Sequence, residues 1–121
     1  MAKSYLSALR HQAFERQKHR CHYCGFLMWE SDPDSFARHH GISSANAKRF
    51  QCTAEHLVAR QDGGKDTAAN IVAACAYCNH GRHKCQPAPS PDRLKQKIAK
   101  RLARNRWHPL PVVTCLSLRA N

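Results

Sequence analysis

Four cysteines stand in two pairs, Cys21 with Cys24 and Cys75 with Cys78, each pair separated by two residues. At that spacing two thiolates reach one ion from a single turn, and zinc takes four of them in a tetrahedron at about 2.3 Å. Fifty residues lie between the pairs, against about fifteen to twenty in common zinc fingers. Loop-closure cost grows only with the logarithm of length, so the longer loop costs about 1 kcal/mol more. A structural zinc site contributes roughly 10–16 kcal/mol in small domains and offsets that easily. The pattern therefore predicts a structural Zn2+ ion on Cys21, Cys24, Cys75 and Cys78. Cys52, Cys85 and Cys115 are left over and read as free thiols, with Cys52 or Cys85 as the candidate substitute ligand.

A polar set lies between and just after these pairs: Glu55-His56, Asp62-Gly63-Gly64, Asn70, Asn79 and Arg82-His83-Lys84. Phosphodiester hydrolysis needs a base to activate water, and a histidine titrating near neutrality, His56, suits it. It also needs a cation to neutralise the phosphate and the leaving oxygen, a task for one divalent ion. Glu55 offers a carboxylate beside the base, and strand alternation turns the two to opposite faces. Asn79 and His83 are four apart, so on a helix they share a face and converge on one ion. Asn70 can fix the neighbouring loop by hydrogen bonding. Arg82 is read as a grip on a phosphate oxygen, with Lys84 beside it.

These residues need elements to hold them. No Gly or Pro interrupts Ser4–His19, which predicts a helix with Leu6, Leu9, Ala13 and Phe14 on one packed face. Residues 27–50 read as an irregular insertion, with Asp32-Pro33-Asp34 as a turn and a short helix over Ser43–Arg49. Residues 51–60 read as a strand running into the Asp62-Gly63-Gly64 turn. A second apolar stretch, Ala68–Ala74, enters Cys75, where a short helix starts. Pro91–Trp107 reads as the clearest helix, capped by Ser90, with Leu94, Ile98 and Leu102 recurring every four residues. Pro109 and Pro111 end it, and Val112–Leu118 reads as a short strand.

Twenty Lys and Arg face eight Asp and Glu, a formal charge of +12. The excess is uneven: residues 1–80 carry ten basic and seven acidic residues, and residues 81–121 carry ten and one. We read a core over 1–86 and a basic extension over 87–121. Such charge calls for a polyanion. Arg93, Lys97, Lys100, Arg101 and Arg104 are the expected contacts to a DNA backbone. A membrane surface is the competing partner, but the apolar stripe of Leu94, Ile98 and Leu102 is narrow and is used in packing. No apolar run is long enough to span a bilayer, and Met1–Arg10 is no signal peptide. The expectation is a cytoplasmic protein with reduced thiols.

The stretch Ala54–Lys84, with Cys21 and Cys24 upstream, resembles the HNH endonucleases in its ordered set of acid-His, Gly-Gly, Asn-Ile-Val and Cys-x-x-Cys-Asn. The resemblance runs from about Arg20 to Lys84. It implies a small α+β fold: a ββα-metal core stapled by a four-cysteine zinc site, here with an N-terminal helix and a basic C-terminal helix. It further implies that His56 is the general base, Glu55 a ligand of the catalytic ion, and Asn70 the residue orienting the base. Asn79 or His83 is then the second ligand, and Mg2+, Mn2+ or another divalent ion the cofactor. The expected activity is metal-dependent endonuclease cleavage of DNA, taken to be duplex, by a monomer or a homodimer. Three features depart from the pattern: Glu55 where Asp or His is commoner, Ala59 in place of Pro, and the long insertion bearing His39-His40. The competing readings are a non-catalytic zinc-dependent DNA-binding module on the same scaffold and a structural zinc protein of a ribonucleoprotein. Neither needs Glu55, His56 and Asn79 or His83 together.

Overall fold

A computed structural model describes residues 2–119, with side chains from residue 5 onward. Helix α1 (Ala2–Arg16) lays Leu9, Ala13 and Phe14 against a two-stranded sheet. It stops three residues short of the expected end because Lys18 and His19 turn left-handed (φ 57° and 66°). His19 then folds back to stack on Phe14 at 4.1 Å. The chain enters the Cys21–Cys24 knuckle at that point.

The insertion is not irregular. Asp32 caps helix α2 (Pro33–His40) by accepting from Ser35 N at 3.0 Å, Pro33 takes the first turn, and Gly41 ends it left-handed. The expected turn is thus a helix start, where proline's fixed φ is an asset. Helix α3 (Ser44–Lys48) follows, capped by Ser43. Ala37, Ala47 and Phe50 are buried, and the Trp29 indole donates to Ala47 O at 2.7 Å, so the insertion joins the core.

Strands β1 (Cys52–His56) and β2 (Ile71–Cys75) pair antiparallel, with Cys52 opposite Cys75, Glu55 opposite Val72 and His56 opposite Ile71. Asn70 closes the loop between them: its Oδ1 accepts from Val58 N at 2.8 Å, and its Nδ2 donates to Val58 O and Lys65 O at 3.0 Å. Gly64 is required here, since a Cβ would fall 1.7 Å from Val58 O. Helix α4 (Ala76–His83) continues directly from β2 and completes the ββα unit.

Helix α5 (Pro91–Ala103) is capped by Ser90 and buries Leu94 and Ile98. It ends before the expected Trp107, because Asn105 turns left-handed (φ 54°) and redirects the chain inward. Trp107 and His108 are consequently buried. The expected strand at Val112–Leu118 is instead a helical turn, α6 (Leu110–Val113), in which Val112 N and Val113 N donate to Pro109 O at 2.9 and 3.1 Å. Those N–H groups close a turn locally and are not offered to a sheet edge. Leu94, Ile98, Trp107, Val112, Val113 and Leu118 lie in one hydrophobic cluster with the cysteine knuckle and both strands.

His108 fills the centre of an aromatic cage, with Phe26 at 4.7 Å, Phe50 at 4.9 Å and Tyr77 at 5.5 Å. Its Nδ1 accepts from Arg49 Nη2 at 3.2 Å, and Arg49 itself lies 3.7 Å over the Tyr77 ring. Burial, with the Arg49 charge adding to it, pushes His108 down to about 3. It is held neutral.

Candidate metal centres and nucleic-acid interface

The two cysteine pairs meet. Cys21, Cys24, Cys75 and Cys78 are all buried and place their sulfurs within 4.8 Å of one another, with Cys24 and Cys75 at 4.0 Å. Zn–S bonds of about 2.3 Å in a tetrahedron put sulfurs about 3.8 Å apart, so the cluster fits a structural zinc ion. Donors already surround it: Tyr23 N and Cys75 N reach Cys21 Sγ at 3.3 Å, and Cys78 N reaches Cys75 Sγ at 3.4 Å. Trp107 Nε1 donates to Cys78 Sγ at 3.3 Å, which fixes the segment after α5 to the centre. Burial pushes the thiols of Cys24, Cys75 and Cys78 well up. Cys21, equally buried, is held down by hydrogen bonds from the other three. A dication reconciles four thiolates in one dry site. Cys52 stands apart with its thiol raised to about 12 by burial.

The second group lies where β1 meets α4. Alternation along β1 turns Glu55 inward to α4 and His56 toward the loop. Glu55 is fully buried, and its two oxygens have separate partners. Oε2 accepts from Tyr23 OH at 2.9 Å and Arg82 Nη1 at 3.2 Å, whereas Oε1 faces His83 Nε2 at 3.1 Å. His83 is exposed, so Oε1 is linked through the imidazole to the surface of α4. Burial and the Glu55 carboxylate together push the Tyr23 phenol far up. Asn79 shares the α4 face with His83, but its Nδ2 donates to Thr53 Oγ1 at 3.0 Å and Ala54 O at 3.4 Å. A carboxylate oxygen, an imidazole and an amide make a donor set suited to a hard or borderline divalent ion.

Arg82 corrects the sequence reading. It is buried, and its donors are spent on Pro89 O (2.9 Å), Glu55 Oε2 (3.2 Å), His56 O (2.8 Å) and Leu57 O (3.2 Å). It braces the carboxylate and the end of β1 with four of its five N–H groups, and it lies inside the fold and not among the surface cations. His56 is half-buried, and its Nε2 lies 2.7 Å from Asp66 Oδ1. Arg60 Nη2 holds the other Asp66 oxygen at 2.9 Å. Asn70, expected to orient His56, bonds the loop backbone and not the ring. Tyr23, Asp66 and Trp107 were not singled out in the sequence. Tyr23 lies between two ligands and had a positional signal; the other two meet their partners only through tertiary structure.

Lys84, Arg93, Lys97, Lys100, Arg101 and Arg104 are all exposed. Between α5 and the Cys85–Pro89 loop runs an open groove of about 680 Å³ lined by Arg93, Lys97, Lys100, Arg101 and Arg104. A second hollow of about 390 Å³ shares Lys97 and Arg101 with it and adds Lys84, His80 and Trp107. The cations thus form one continuous track.

Residues 45–84 match the family model described as HNH endonuclease. That segment spans α3 to α4 and carries Glu55, His56, Asn70, Asn79, His83 and the second cysteine pair. No curated protein and no solved structure matches the chain. Within residues 45–84 the chain therefore carries a match to an HNH domain, and β1, β2 and α4 form there the ββα unit for which that family suggests a metal core. Cys21, Cys24 and α5 lie outside the match and are this chain's own setting for it. An HNH domain indicates a nuclease-type or DNA-binding function. Among the described residues, no helix is long and apolar enough to cross a membrane.

Proposed function

We propose that the protein is an endonuclease that hydrolyses DNA phosphodiester bonds with a divalent metal ion, His56 serving as general base. The observation that carries this reading is the contact of Glu55 Oε1 with His83 Nε2 at 3.1 Å, which joins a buried carboxylate to an exposed imidazole beside a half-buried histidine on the same strand. Glu55 and His83 would hold the ion, with Asn79 next to them on α4; their direct contact favours His83 over Asn79 as the second ligand. The ion, Mg2+ or Mn2+, supplies charge neutralisation at the phosphate and the leaving oxygen. Tyr23 and Arg82 keep Oε2 occupied and so leave Oε1 to His83. His56 takes a proton from the attacking water. Asn70 holds the loop that frames His56. Zn2+ on the four cysteines is structural, because four thiolates leave no position for water.

The division at 86/87 is then one of role: residues 1–86 carry the chemistry and 87–121 carry charge, while both share the hydrophobic core. Lys84, Arg93, Lys97, Lys100, Arg101 and Arg104 line the path of a duplex backbone. Reduced thiolates at the zinc centre suit work inside the cell. One observation favours a second reading, a non-catalytic DNA-binding module: Glu55 is buried and already paired with Arg82 at 3.2 Å. Plasmid cleavage with Mg2+ or Mn2+ decides between them. His56→Ala should bind duplex DNA as the wild type does and cleave it at least about a hundredfold more slowly. Absence of cleavage by the wild type with every divalent ion, or equal cleavage by the variant, would overturn the nuclease reading.

A further inference from the structure

We propose that Asp66 is the positioning residue of His56, fixing its imidazole in the Nε2–H tautomer so that Nδ1 presents its lone pair to the attacking water. The inference deepens the nuclease reading and rests on it for the identity of the base. His56 Nε2 lies 2.7 Å from Asp66 Oδ1. An ionised carboxylate is acceptor-only, so a contact that short requires the proton to sit on the imidazole nitrogen. The carboxylate is ionised: the His56 hydrogen bond, helped by the Arg60 charge, holds Asp66 below its usual range.

With Nε2 occupied, the only ring atom of neutral His56 able to accept a proton is Nδ1. Water gives one proton to Nδ1 as its oxygen bonds to phosphorus, one ester P–O bond breaks, and the departing alkoxide takes a proton from solvent. The imidazolium formed is stabilised by the carboxylate on its far side and then releases its proton to solvent. Asp66 does not take the proton. Its position is determined from two directions. Arg60 Nη2 grips Oδ2 at 2.9 Å, leaving Oδ1 for the ring, and Asn70 ties Lys65 O and Val58 together at the neck of the same loop. Arg60 Nε also approaches His56 Nε2, at 3.3 Å. That longer contact cannot be a bond to a lone pair while the proton on Nε2 is shared with Asp66. The guanidinium neutralises the carboxylate and leaves the tautomer to it. On the far side of β1, Glu55 and Arg82 pair with each other. Asp66 therefore supplies the carboxylate that the ring meets through Nε2.

The test uses the full-length, zinc-loaded protein at neutral pH without added catalytic ion. Nitrogen-15 and proton spectra of the His56 ring should report the Nε2–H tautomer in the wild type. In Asp66→Asn, whose side-chain amide can donate as well as accept, that signature should be lost or mixed. Cleavage by Asp66→Asn should fall at least about tenfold in kcat with KM for duplex DNA unchanged. Asp66→Glu should restore the tautomer and most of the rate, which a merely loop-pinning residue would not require. A wild-type ring in the Nδ1–H form, or full kcat in Asp66→Asn, would overturn the proposal. An Nε2–H ring in a protein that cleaves no DNA would leave the Asp66–His56 pairing standing and sink the nuclease reading instead.

Discussion

His108 makes the stability of this protein depend on pH in a way the structure quantifies. The imidazole sits in an aromatic cage, accepts a hydrogen bond from a cation, and is depressed from 6.5 to about 3. In the unfolded chain it takes up a proton as pH falls through 6.5; in the folded protein it does so only near 3. Between those values the unfolded state binds more protons, so stability falls with falling pH. The loss from this one group is near zero at about pH 7.5, about 2 kcal/mol at pH 5, and levels off near about 5 kcal/mol below pH 3. Urea unfolding of the zinc-loaded protein at pH 7.5, 6 and 5 measures it, with His108→Asn alongside. The asparagine keeps an acceptor for Arg49 and cannot titrate. It should be less stable at pH 7.5, because the stack on Phe26 and Phe50 is removed. Its decline to pH 5 should be shallower than the wild type's by about 2 kcal/mol. Thiolate protonation at the zinc centre acts on both proteins and cancels in the difference. Parallel declines would refute the reasoning, since His108 would then titrate alike in both states.

Two further outcomes are expected. Cys75→Ser, or a strong chelator, should give an unfolded or aggregating protein by circular dichroism, because the metal free energy is folding free energy here; a well-folded variant with full zinc content would contradict the structural assignment. Neutralising Lys97, Lys100, Arg101 and Arg104 to Gln should flatten the slope of log affinity against log salt by about 0.9 for each phosphate no longer neutralised. Substitution is the proper test there, since deleting 87–121 would strip Leu94, Ile98 and Trp107 from the core; an unchanged slope would place the DNA elsewhere.

The cysteine staple, the β1 acid-His pair and the capped start of α5 were legible because each is a local pattern: ligand spacing, strand alternation, Ser-Pro at a helix entry. What failed also failed locally. Asp32-Pro33 carries the same N-cap and first-turn chemistry as Ser90-Pro91, yet without an apolar period behind it the dipeptide reads as a turn. Val112–Val113 looks like a strand by composition, but the two prolines just before it and the carbonyl of Pro109 close it into a helical turn. Arg82 could not be placed from sequence at all. Its burial depends on Glu55 approaching from another element, and a guanidinium in a basic stretch reads as a surface group until that carboxylate is seen. Asp66 belongs to the same class: ten residues from His56, it has no periodicity to announce the contact.

The indole of Trp107 bonded to Cys78, together with Leu27 N bonded to Leu118 O, lays the last segment of the described chain over the cysteine centre. On the ribosome all four cysteines emerge well before residue 107. The four ligands thus leave the ribosome before the segment that covers them, and a metal held there would be retained by the residues after α5. A chain truncated after Cys85 would keep every ligand and every residue proposed for cleavage, yet it would lose both the cover over the cysteine centre and the part of the core that supports it.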